Sequence, residues 1–350
     1  MTDIKPLDHL RVLDMSRILA GPWCGQTLAD LGAEVIKVER PGAGDDTRGW
    51  GPPFMVDADG NETDTAAYFL SANRGKKSVT VDITKPEGQD IIRKLVAECD
   101  ILLENYKVGG LKKYGLDYES LSEINPGLVY CSITGFGQTG PYSPRAGYDF
   151  LIQAMGGLMS VTGEAESKPG GGPQKIGVAL SDILTGLYTV IGALSALAYR
   201  DKTGRGQHVD MALLDVTVAS MANQAMNYLV AGKSPTTMGN AHPNIVPYEA
   251  YKAADHYIIL AVGNDAQFRR FCEVAGRVDL ADDDSYATNR NRVGNRDVLG
   301  PILNDIIAAK PRAFWLEELE KVGVPCGPIN NLEQVFDDPH IQARGVRQEV

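Results

Sequence analysis

The sequence has no paired cysteines. Cys24, Cys99, Cys131, Cys272 and Cys326 lie far apart, without a CxxC, and their number is odd. That argues against a disulfide framework and for a reducing, cytoplasmic setting. The histidines (His9, His208, His242, His256 and His340) form no HExxH or HxxxH pair, so the expected metal content is none. Two phosphate signatures are missing as well. The first strand-like run leads into SRILAGPWCG, which has no GxGxxG, and Gly-Lys-Lys-Ser at 75–78 lacks the upstream glycine of a P-loop. Both absences speak against NAD and ATP. No long Lys/Arg run offsets a formal net charge of −11, which excludes nucleic acid and anionic membrane surfaces as natural partners. The stretch MTDIKPLDHLRVLDMS lacks a basic region followed by an apolar run and a cleavage site, so no secretory signal is expected. One apolar run, 183–199, approaches a membrane span in length. Two Thr, one Ser and two Gly dilute it, and Arg200-Asp201-Lys202 follows at once, so a buried core helix is expected instead.

What is present reads as an α/β protein. At 350 residues the chain is long for one core, which predicts two domains. Short β-branched runs at 11–15, 34–39, 78–83, 101–106 and 128–134 alternate with helical patterns, one running from Gly21-Pro22 through Leu31 and another over 86–99. Such alternation points to a parallel sheet with helices on both faces. Beyond about residue 225 the texture changes: a Gly/Asn/Pro-rich loop, GNAHPNIVPYEAY, precedes a strand at 256–262 and a helix over 265–275. The expected organisation is a large domain over 1–224, a small α+β domain over 225–322, and a segment 323–350 returning towards the first domain.

Two carboxylates stand out. GVALSDILTGLYTV passes from a β-like run at 178–180 through Ser181 into the apolar helix, so Asp182 falls at or just inside a helix start. Free N–H groups and the helix dipole there favour an ionised carboxylate. An ordinary cap and an oriented reactive carboxylate at a strand end are both open on spacing alone. Asp149, in RAGYDFLIQAMGG, heads a second helix and carries the same pair of readings. Basic residues follow or precede successive strands: Arg40, Arg48, Arg74, Lys76, Lys77, Lys107, Lys112 and Lys113. Solvated surface is the default for each, yet together they suit a local anion site in an acidic protein. With Asn105-Tyr106 at the end of the fourth strand, this supports a phosphorylated, nucleotide-like ligand.

Several longer segments match one family in order: LRVLDMSRILAGPWCGQTLADLGAEVIKVERPGAGDDTR, SANRGKKSVTVDI, LLENYKVGGLKKYGLDYESL, NPGLVYCSITGFGQTGPYSPRAGYD, IGVALSDILTGLY with TGRGQHVDMALLD, then GNAHPNIVPYEAY and GVPCGPINNLEQVFDDPH. From about residue 10 to 345 the chain resembles the class III CoA-transferases, the formyl-CoA transferase-like family. The resemblance implies a Rossmann-like large domain with a small α+β domain, in an interlocked homodimer. It implies coenzyme A and acyl-CoA as substrates, a small carboxylic acid as acceptor, and no tightly bound cofactor. Asp182 takes the nucleophile's position. CoA contacts fall on Arg40, the backbone around Val81, Asn105, Tyr106, Lys113 and the turn Ala146-Gly147-Tyr148-Asp149. Lys107 keeps the charge of an arginine found in many members but not its fork. Asp182 would form a mixed anhydride and then an aspartyl-CoA thioester, with N–H groups near the small-domain glycine loop stabilising the oxyanions.

Two departures bear on substrate. Leu19 stands where oxalate-using members carry Gln, and Gly239, Asn240 and His242 lie where those members have a run of glycines. The resemblance is therefore closer to members that use succinyl-CoA with a dicarboxylate such as glutarate. Family members also continue beyond the point at which this sequence stops. The same fold serves α-methylacyl-CoA racemases, which pair the aspartate with a histidine where this chain has Tyr148. A phenol is a far weaker base near neutral pH, which favours transfer over racemisation. A non-catalytic CoA-binding paralogue is the third reading.

Overall fold

The computed structural model describes residues 5–348, and the chain forms two compact units. One runs up to Thr162 and takes in Pro173–Thr236; the other comprises Gly163–Gly172 and the chain from Thr237 onward. The inserted ten-residue piece left no mark in the sequence pattern.

The first unit is built on six strands: β1 (Arg11–Asp14), β2 (Glu34–Glu39), β5 (Lys76–Thr80), β6 (Ile101–Glu104), β7 (Val129–Thr134) and β8 (His208–Ala212). All neighbours pair in parallel, in the order β5-β2-β1-β6-β7-β8. A small antiparallel hairpin, β3 (Phe54–Val56) with β4 (Glu62–Ala66), stands apart from it. Side chains alternate across the sheet, as a period of two requires. Val12, Ile101, Leu103, Val129 and Cys131 face one layer, packed on Cys24 and Leu28 of the helix Ala20–Asp30 and on Val190, Ala193 and Leu197 of the helix Leu180–Thr203. Leu13, Leu102 and Tyr130 face the other, against Ile92 and Val96 of the helix Pro86–Val96 and Leu121 of the helix Tyr118–Ile124. Two covered faces explain why these strands read as continuous apolar runs.

Three expectations shift. The third strand lies at Lys76–Thr80, two residues ahead of the apolar reading over 78–83. Its first side chain is a buried lysine paired with Asp14, which hydropathy alone places outside a strand. The β-like run at 178–180 pairs with no strand; Val178 is exposed and the helix begins at Leu180. The hairpin β3–β4 comes without the apolar alternation that marks a strand, and β8 carries it over only five residues. The expectation of a core helix for the run 183–199 holds: the helix Leu180–Thr203, long and apolar enough by composition to cross a membrane, buries one side in the first unit's core.

The second unit carries a three-stranded antiparallel sheet, β9 (Tyr248–Lys252), β10 (Tyr257–Ala261) and β11 (Cys326–Pro328), in the order β11-β10-β9. Its core gathers Tyr251, Ile258, Leu260, Phe268, Phe271, Leu299, Leu303 and Trp315. Arg292 is wholly buried beside this core, its guanidinium 4.3 Å over the Phe268 ring. It donates to the carbonyls of Val246 and Tyr286 at 2.7 and 2.8 Å and to Asp265 at 2.8 Å. Lysine has no planar fork to meet three acceptors in three directions. Arg292→Lys is therefore expected to destabilise this unit by about 2–4 kcal/mol, through buried carbonyls left unpaired. Thermal or urea unfolding checks it; an unchanged midpoint would refute this reading of Arg292.

Candidate active site

In an open parallel sheet, ligands bind beyond the carboxyl ends of the strands where the strand order reverses. Here the order reverses between β1 and β6. The chain leaving those two strands, Arg17–Ala20 and Asn105–Val108, lines a cavity of about 200 Å³, and Asp182 lies in its wall.

Each wall is held by a different device. On the β6 side, Asn105 turns its amide onto the neighbouring segment. Its Oδ1 accepts the Arg17 N–H at 2.9 Å, and its Nδ2 donates to the Arg17 carbonyl at 2.6 Å. Asn105 thus ties the two switch-point segments together. The Arg17 guanidinium lies 5.5 Å over the Tyr106 ring and 3.1 Å from Asp46. Below the turn, Glu104 accepts the Tyr106 N–H at 2.7 Å, and burial pushes its carboxyl up to about 7.

On the opposite side, the turn Ala146-Gly147-Tyr148 passes directly over the end of β7. A Cβ built on Gly135 would stand 2.5 Å from the Gly147 Cα, so both positions demand glycine. Tyr148 is 64% exposed, leaving its ring at the cavity mouth.

Asp149 is the first residue of the helix Asp149–Met155, but its carboxylate serves another helix. One oxygen accepts the Ser181 N–H at 2.9 Å and leans towards the Asp182 N–H at 3.4 Å; the other accepts from Gln153 Nε2 at 2.7 Å. The helix Leu180–Thr203 has no side-chain cap of its own, and Asp149 supplies that function across the fold. The capping expectation for Ser181 and Asp182 is corrected accordingly. Ser181 Oγ accepts a bond from Thr217 Oγ1 at 2.8 Å, while the Asp182 carboxylate stays free of capping.

The electrostatics also depart from expectation. The dipole at a helix start favours an ionised carboxylate. Yet Asp182 is pushed up to about 7, first by burial and then by the charge of Asp149. Desolvation wins because the carboxylate itself is largely buried, and the neighbouring Asp149 charge adds to it. The Tyr68 phenol is pushed up by burial and by the charges of Asp182 and Asp149, which puts it within their electrostatic range.

The cavity therefore brings together Leu19, Asn105, Tyr106, Lys107, Tyr148 and Asp182. Arg40, Val81 and Lys113 are not in its wall. Arg40 and Val81 directly follow β2 and β5 on the same carboxyl edge of the sheet, and Lys113 lies over the Tyr114 ring at 4.7 Å. Gly239, Asn240 and His242 belong to the second unit. Gly239 sits at φ +63° with its N–H on the Gly163 carbonyl at 2.9 Å. His242 accepts the Asn244 N–H at 3.0 Å, and burial followed by Arg296 lowers its pKa. Sequence reading missed Arg17, Arg145, Gln153 and Tyr68. Arg17 was reachable, since it follows the first strand as the noted basic residues follow later ones. Gln153 was reachable too, as the i,i+4 partner of Asp149 on one helix; Tyr68 comes within range of the two carboxylates by packing that no spacing announces. The cysteines offer no rival nucleophile: burial first among the causes pushes Cys99, Cys131 and Cys272 up to about 12.

A carboxyl raised from 3.8 to about 7 stabilises the fold while protonated. That contribution is complete below the ordinary carboxyl range and is lost as pH rises through 7. Asp182→Asn, which cannot ionise, is thus expected to melt above the parent protein at pH 8, with the gap closing towards pH 4. A melting difference that is flat across this range would contradict it.

Known proteins resemble this chain over nearly its whole length. A succinate–glutarate CoA-transferase of Agrobacterium fabrum is 53% identical over 99% of this chain and 86% of its own length. The human succinyl-CoA:glutarate CoA-transferase is 46% identical over 100% of this chain and 77% of its own. The crystal structure of a CaiB/BaiF family protein from Brucella suis superposes with a TM-score of 0.85 at 57% identity, over 97% of this chain and 88% of that one. Residues 7–350 match CoA-transferase family III, and the chain belongs to that family of enzymes.

Proposed function

We propose that the protein moves CoA from succinyl-CoA to a dicarboxylic acid such as glutarate, with Asp182 as the covalent nucleophile. The observation that carries this reading is a carboxylate in the wall of the switch-point cavity, in a chain whose relatives are named for that exchange. In the first step an Asp182 oxygen attacks the succinyl carbonyl; the C–O bond forms, the C–S bond breaks, and CoA leaves as thiolate. The thiolate then attacks the Asp182 carbonyl, releasing succinate and leaving an aspartyl-CoA thioester. The acceptor carboxylate attacks that thioester and expels the thiolate, which takes the acyl group from the new anhydride and regenerates Asp182. Asp182 must be ionised to begin, so turnover rises with pH through about 7. Lys107 at the cavity wall and Arg40 and Lys113 outside it supply positive charge for the CoA phosphates, and Tyr106 supplies a stacking surface.

Trapping decides the assignment. Incubation with succinyl-CoA followed by hydroxylamine or borohydride, with peptide mapping by mass spectrometry, is expected to mark Asp182. A mark on Asp149 would overturn it. Solvent deuterium entering the α-carbon without acyl transfer would favour a racemase, for which the exposed Tyr148 supplies no imidazole.

We further propose that the enzyme works as an interlocked homodimer in the cytoplasm. Two helices support the first part. Leu180–Thr203 exposes Tyr188, Ile191 and Tyr199, and Ala222–Ala231 exposes Met226, Leu229 (69%) and Val230 (81%). Apolar helix faces of that extent ordinarily mark a partner surface. Light scattering is expected to return twice the chain mass at micromolar concentration; a monomer would refute the dimer. The unpaired thiols support the second part.

A further inference from the structure

Beneath the switch point lies a cluster of charged side chains that the chemistry above does not use. Lys37 of β2 and Asp45 form an ion pair at 2.9 Å, with side chains 1% and 0% exposed. Beside them Lys76 and Asp14 pair at 2.8 Å, at 2% and 0%. Pairs this deep return little stability, because desolvation offsets their attraction. What they touch is informative.

Of three consecutive residues leaving β1, Ser16 and Ile18 are gripped by this cluster and the one between them by Asn105. Ser16 gives its N–H to Asp14 at 3.0 Å, and its carbonyl accepts from Lys37 Nζ at 3.0 Å. Arg17 is clamped at both ends by Asn105. The Ile18 N–H faces Asp45 Oδ1 at 3.4 Å, while Thr47 N–H and Oγ1 hold the same oxygen at 3.0 and 2.7 Å. Asp45 Oδ2 has only the Lys37 ammonium among the described residues.

The gripped segment is strained. Ile18 sits at φ +74°, one of two non-glycine residues with positive φ among the described residues. For a β-branched side chain that conformation is a clear outlier. Strain of this kind persists only where the surroundings over-determine it. The bend has a direct consequence at the site. Leu19 and Ala20 follow, and the first turn of the helix Ala20–Asp30 meets the helix that carries Asp182 with no room to spare. A Cβ on Gly186, one turn beyond Asp182, would stand 2.7 Å from the Ala20 carbonyl and 3.0 Å from the Trp23 Cβ.

We propose that Lys37 and Asp45 are positioning residues for the reaction: their buried pair locks the bend at Ile18, which seats the Ala20 turn against Gly186 and fixes the wall that faces Asp182. This rests on Asp182 as the nucleophile, and the wild-type trapping experiment tests that point separately.

The test removes both charges at once, so that neither is left orphaned. Lys37→Met with Asp45→Asn, in the full chain, is assayed for succinyl-CoA-dependent transfer to glutarate. The expected result is a folded protein whose kcat falls about tenfold or more while KM for succinyl-CoA moves less than about threefold, the scale set by sub-ångström misplacement at a reacting centre. A folded double variant with parental kcat, or one whose KM rises in step with the loss, would overturn the proposal. Should the double variant not fold, Ile18→Gly against Ile18→Ala decides, since both lose the side chain and only glycine relaxes the bend. The glycine variant is expected to melt no lower than the alanine variant yet turn over more slowly. Equal kcat in the two would overturn the proposal.

Discussion

The carboxylate of Asp149 holds the N–H of Ser181 at 2.9 Å, and much of the site hangs on that one bond. It fastens the start of a 24-residue helix to a turn that passes over the end of β7. Because a residue 33 positions away satisfies the helix end, Asp182 is not needed as a cap. Its carboxylate faces the cavity instead. The negative charge that does the fastening also works on Asp182, adding to burial in raising it to about 7. One contact therefore both spares the Asp182 carboxylate from capping and makes it reluctant to ionise, which suits the nucleophile proposed for it.

Beneath this surface the sheet carries charge where hydropathy would place none. Burial opposes the ionised form of Asp14, and the Lys76 and Lys37 ammonium groups more than compensate, leaving its carboxyl below the ordinary range. Such arrangements are poor sources of stability but good sources of geometry. They bind consecutive backbone groups in fixed directions, which apolar packing does not. The apolar layers on either face of the sheet hold the domain together; the buried polar cluster sets the path of a few residues at one end of it.

Much of this was legible in the chain. The parallel α/β architecture followed from alternating runs, and β2 appears at the residues its pattern marked, Glu34–Glu39. Both carboxylates were visible at helix starts. The family resemblance, carried by long ordered segments, pointed to CoA transfer and to succinyl-CoA-using members, the kind of relative the comparisons return. Less visible were features that depend on partners distant in sequence. Lys76 read as surface because a lysine is normally solvated, until Asp14 arrives 62 positions away to pair with it. The run 178–180 looked like a strand because it is apolar, but no neighbouring strand offers it hydrogen bonds.

The sequence by itself determined the periodicities, and with them which residues enter helices and strands and which faces are apolar. It also placed Asp182 near a helix start, since capping and helix entry are local matters of a few residues. Only the tertiary structure decided the strand order, the switch point between β1 and β6, and therefore where the cavity opens. It alone made Asp149 the cap of another helix, Asn105 a clamp on Arg17, and Ile18 a held bend. The physical reason is the same in each case. These roles are contacts between residues tens of positions apart, and they exist only once the layers that bring them together have packed.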